Sequence, residues 1–107
     1  MTFETAINNL KDPNASPHAL SDIHSWMAGE YGFISARMAE IGMRKPIEWS
    51  KIREGKTSDK QADLEWDKTE DGQAEIKYRF YLKALEKMLS SVKLRIGILN
   101  EEARNSY

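Results

Sequence analysis

Arg79, Lys83 and Lys87 recur every four residues, with Lys77 beside them and Tyr78 and Tyr81 on adjoining faces. On a helix this spacing lines cations along one side, and cations interleaved with aromatic rings can grip phosphates and stack on bases. Lys77, Arg79, Lys83 and Lys87 are therefore the candidate nucleic-acid contacts. Glu75 stands four residues before Arg79, and Glu86 dilutes the stripe, so a solvated face explains the same residues. The formal net charge of −1 argues against a general nucleic-acid coat and against an acidic mimic of nucleic acid.

Other reactive residue types do not assemble into a site. His18 and His24 lie six apart, on different faces of any helix, with Asp22 as the nearest carboxylate and no third ligand at metal-binding spacing. Asp63, Glu65, Asp67, Glu70 and Asp71 are interleaved with Lys60 and Lys68 and lack the ligand spacing and central glycine of a calcium loop. Ser90 and Ser91 have no histidine nearby in sequence, so no nucleophile–base set can be built. With no cysteine there is no disulfide, thiolate or redox motif. The expectation is a protein that is not an enzyme and takes no cofactor, metal or small-molecule substrate.

The 107 residues fit one domain, and 40% hydrophobic with 31% charged residues suits a folded helical chain. No apolar run reaches membrane-spanning length and the N-terminus lacks a secretory pattern, so the expected compartment is cytoplasmic, with no membrane partner. Charge is unevenly spread. Residues 1–43 carry two basic and five acidic side chains, a net −3, whereas residues 73–107 carry seven basic and four acidic, a net +3. Laid side by side the two segments attract.

The elements that position these residues are helical. Phe3, Ile7 and Leu10 predict a short helix over about 3–11, stopped by Asp12–Pro13. Ser16–Pro17 opens a second helix, over about 17–43. Along it Leu20, Ile23, Met27, Tyr31, Ile34, Met38 and Ile41 step by three or four, with Pro46 as the stop. A line of small residues, Ala28, Gly32, Ser35, Ala39 and Gly42, runs beside that seam and predicts close approach of another backbone at Gly32 and Ala39. Residues 44–57 read as a connection that tucks Ile47, Trp49 and Ile52 against the helices.

Ser58 and Gln61 form a capping box that opens a third element. Ala62, Trp66, Thr69, Gln73, Ile76 and Phe80 continue at helical spacing across Gly72, while Tyr78, Tyr81, Leu85, Met88, Val92 and Leu99 form a stronger seam rotated by roughly 120°. Either the chain breaks near Asp71–Gly72, or one helix over about 58–105 shows two faces. The continuous helix is favoured, since one glycine costs only about 1 kcal/mol. At roughly 70 Å it would overhang the roughly 40 Å helix from Pro17. The overhang around Trp66 would need another chain, which makes Trp66, Ala62, Thr69 and Gly72, together with Gly32 and Ala39 on the small-residue line, the candidate protein interface.

The Trp66, Thr69, Gly72 pattern, the helix KALEKMLSSVKLRIGILN and the ending EEARNSY resemble small helical accessory proteins of tailed bacteriophages and prophages. The resemblance covers residues 58–107 and implies an accessory role, with no catalytic residue. The expected architecture is all-α, a short N-terminal helix and two long antiparallel helices in a coiled-coil-like hairpin. The expected function is a non-enzymatic interaction module, acting as a homo-oligomer or on a host or phage protein. The alternatives are a nucleic-acid-binding accessory protein of recombination or replication, and an inhibitor docking onto a host defence enzyme.

Overall fold

The computed structural model describes residues 1–105. They form four helices and, among the described residues, no strand: α1 (Phe3–Lys11), α2 (Pro17–Glu54), α3 (Asp59–Lys68) and α4 (Glu70–Asn105). None of these helices is long and apolar enough to cross a membrane. The chain divides into two compact units, one of Met1–Tyr31 with the chain from Ala84 onward, and one of Gly32–Lys83.

The starts of the helices follow from their capping residues. Thr2 Oγ1 accepts the Thr5 N–H at 3.1 Å, Ser16 Oγ accepts the Ala19 N–H at 3.1 Å, and Ser58 Oγ accepts the Gln61 N–H at 3.2 Å. The Gln61 side chain reaches back, but to the N–H and hydroxyl of Thr57 rather than to Ser58 itself.

Two boundaries differ from the sequence reading. Residues 44–54, expected as connection, continue α2 straight through Pro46. An interior proline costs about 3 kcal/mol, and contacts beyond it act against that cost. The Trp49 indole N–H donates to Asp63 Oδ1 at 2.8 Å, Arg53 Nε reaches Asp59 at 2.7 Å, and Arg53 Nη1 reaches the Lys56 carbonyl at 2.7 Å. Trp49 and Ile52 are half-buried as expected, whereas Ile47 is 61% exposed. The second difference is that the favoured continuous helix from Ser58 does not form. Thr69 is extended, with φ −71° and ψ 162°, and separates α3 from α4.

These boundaries change the length argument. At 38 and 36 residues α2 and α4 are nearly matched, each roughly 55 Å long, so the excess that called for another chain disappears.

In the first unit, Ala6, Leu20, Ile23, Met27, Leu85 and Val92 are buried. Complete burial of a leucine- or isoleucine-sized side chain contributes about 1.5–3 kcal/mol. Phe3 meets Trp26 edge-on, with ring centroids 5.3 Å apart. Arg95 donates to the carbonyls of Leu10 and Asp12 at 2.7 and 2.9 Å, satisfying acceptors at the end of α1. In the second unit, Ile34, Ile41, Ala62 and Trp66 are the buried apolar side chains.

Candidate interaction surface

The expected interface splits into a buried part and an exposed part. Trp66 is only 2% exposed and Ala62 is fully buried, so neither is available to another chain. This corrects the expectation drawn from the overhang. Ending α3 at Lys68 and extending α2 past Pro46 brings Lys45 over the indole, with Nζ 5.4 Å from the ring centroid. The indole N–H points to Glu75 Oε1 at 3.4 Å. Glu75 also accepts from Lys45 at 3.1 and 3.3 Å and lies 3.4 Å from Arg79. Two cations and an indole thus surround a carboxylate that is almost buried, which is what such a charge requires inside a protein.

Thr69 and Gly72 build the junction between α3 and α4. The Thr69 hydroxyl donates to the Trp66 carbonyl at 2.6 Å and accepts the Gly72 N–H at 3.0 Å, capping α4 while closing α3. Gly72 is buried. The tryptophan–threonine–glycine pattern is therefore explained by the fold of a single chain.

Gly32 and Ala39 are exposed. A Cβ added at Gly32 or Gly42 would meet nothing within 4 Å, so among the described residues no backbone of the same chain approaches the small-residue line, and Gly32 and Ala39 stay open to another chain.

The four basic candidates have different surroundings. Arg79 is paired with Glu75. Lys77 rests against Tyr78 and Tyr81, 5.9 and 5.6 Å from their centroids. Lys83 and Lys87 face solvent. All four are exposed.

Other pairs secure the helices. Arg44 grips Asp71 through two hydrogen bonds of 3.0 Å each. Hydrogen bonding to Arg44 holds the Asp71 carboxyl below the usual aspartate range, and hydrogen bonding to Asp71 raises Arg44. Tyr31 donates to Glu86 at 2.9 Å, and that bond raises the phenol above its ordinary value. Glu65 is lowered by its hydrogen bond from Lys68. His18 sits 3.6 Å from Asp22, and His24 lies beside Ser21, Ser25 and Lys93 in a shallow surface depression. Among the described residues no three histidine, cysteine, aspartate or glutamate side chains converge as metal ligands.

The exposed apolar surface lies elsewhere than predicted. On α2, Met43 is 79% exposed, and Ile47, one turn on, shares its solvent-facing side. On α4, Leu94 is 67% and Ile98 49% exposed, again one turn apart. Phe33 and Phe80 are also exposed, Phe33 beneath the Arg37 guanidinium at 5.0 Å. The signal for Leu94 and Ile98 was available. At about 100° per residue they project roughly 160° and 120° away from buried Val92, off the core seam. No family model, curated protein or solved structure matches the chain.

Proposed function

We propose that the protein is a non-enzymatic helical interaction module whose contact surface consists of solvent-facing aliphatic residues, not Trp66. The observation that carries this reading is the pairing of large apolar side chains one turn apart and open to water, Met43 with Ile47 and Leu94 with Ile98. Such residues are costly to leave hydrated and are typical of surfaces that another chain covers. In this reading α2 and α4 are the antiparallel arms of a hairpin. Within the second unit, partners that descend along the following chain as they ascend along α2 support it: Arg44 with Asp71, Trp49 with Asp63, and Arg53 with Asp59. The phage-type accessory role belongs to the same proposal, with the host cytoplasm as the compartment, in keeping with the absence of cysteine. A docked host defence enzyme is one of the partners this surface could serve.

A photo-crosslinking residue placed at position 47 or 94 tests the module in the native host. A discrete adduct at either position, with none from the exposed polar position Lys60 on α3, is the expected result. No adduct from either position contradicts the proposal.

A second reading has one observation in its favour. Phe80, 68% exposed, lies on α4 close to the side carrying Lys83 and Lys87, a combination suited to single-stranded nucleic acid. It predicts oligonucleotide binding that weakens steeply with salt and is lost in the K83E/K87E variant. Absence of binding at about 50 mM salt retires it.

A further inference from the structure

We infer that the partner of the Leu94–Ile98 surface is a second copy of the same chain, with the two α4 helices packed antiparallel about Gly97. The inference rests on the interaction-module reading and names its partner. Ser90, Lys93, Leu94, Gly97, Glu101 and Arg104 line one shallow depression formed by α4 alone, and every one of them is exposed. Their steps keep them on a single helix face.

The order of charges along this face is self-complementary. In an antiparallel pair related by a twofold axis at Gly97, a residue some number of positions before Gly97 faces the residue the same number after it in the other copy. Lys93 precedes Gly97 by four positions and Glu101 follows it by four, so the twofold places each lysine against the other copy's glutamate. Ser90 and Arg104 stand seven positions to either side, so a hydroxyl oxygen faces a guanidinium in both halves of the pair. Lys93 and Glu101 have no ion-pair partner among the described residues.

The centre of the face is apolar and low. Leu94 and Ile98 flank Gly97, and a Cβ at Gly97 would meet nothing within 4 Å. No packing within the chain calls for glycine there, although glycine weakens a helix interior. At the crossing point of two helices, the missing side chain lets the backbones approach, and by the same pairing Leu94 of each copy faces Asn100 of the other, about half a turn from its Ile98. Residues that are exposed in one chain become a small desolvated core with two charged pairs at its rim.

The test is the mass in solution of the full chain across a dilution series, by light scattering or sedimentation. Wild type is expected to approach twice the mass of one chain. K93E and E101K each put like charges together at both ends of the interface, and each is expected to raise the dimer dissociation constant by about tenfold. The K93E/E101K double variant reverses both partners and is expected to return to within about threefold of wild type. A wild type that stays monomeric overturns the inference, as do single variants that associate like wild type or a double variant that is no better than the singles. A monomeric wild type that still gives a crosslinked adduct to a different protein would sink the second copy and leave the interaction module standing.

Discussion

Gly72 lies so close to Trp66 that a Cβ on the glycine would stand 1.9 Å from the Trp66 carbonyl oxygen and 2.7 Å from its carbon. Both atoms are backbone, so neither can swing aside as a side chain would. The sharp turn from α3 into α4 is possible only with hydrogen at that position.

Gly72→Ala is therefore expected to destabilise the protein by about 3 kcal/mol, at the upper end for overpacking. Gly32→Ala, with open space around it, is expected to be neutral or to stabilise by up to about 1 kcal/mol. Urea denaturation of the two variants checks the pair. Similar midpoints would contradict the close approach.

Thr69 holds the same junction with its hydroxyl, which both donates and accepts. Thr69→Val keeps the shape and removes both bonds, and is expected to cost about 1–2 kcal/mol. Thr69→Ser is expected to recover most of that loss. A valine variant as stable as the serine variant would show that the cap contributes nothing.

Trp66 is expected to behave as a core residue. Trp66→Ala removes a side chain that is 2% exposed and is expected to cost about 3–5 kcal/mol. In the folded wild type, emission from this buried indole is expected to lie to the blue of the two half-buried tryptophans, Trp26 and Trp49. Loss of association without loss of stability in the alanine variant would return Trp66 to an interface.

The Arg44–Asp71 pair gives a pH dependence of definite sign. Asp71 is held below its ordinary value in the folded protein, so the unfolded chain binds that proton more readily. The stabilisation is fully present above the unfolded value of about 3.9 and is lost as pH falls through the lowered folded value. Asp71→Asn is expected to be less stable than wild type at neutral pH, with the difference shrinking towards about pH 2. A difference that stays constant across this range would remove the pair as its cause.

Much of the fold was legible because it is written locally. Leu20, Ile23, Met27, Ile34 and Ile41 are buried where a helical repeat of three and four places them, and Ser16 and Ser58 cap where their hydroxyls were expected to. What escaped depends on contacts between distant residues. Pro46 reads as a helix stop until Trp49 and Arg53 find Asp63 and Asp59. Thr69 reads as a weak member of a continuous stripe until its hydroxyl is seen joining two helix ends. The rotation between the faces on either side of Gly72 was the sign of the break, and counting glycine only as lost helix propensity hid the close approach. The surface was harder to read than the core. A burial pattern names the residues that turn inward, and Leu94 and Ile98 matter here because they do not.

The most direct measurement compares the solution mass of wild type with that of L94E/I98E, with helix content monitored in both. Wild type is expected to be larger than one chain, and the double variant to be monomeric and equally helical. Equal masses for the two proteins would contradict this, whether both were single chains or both assembled.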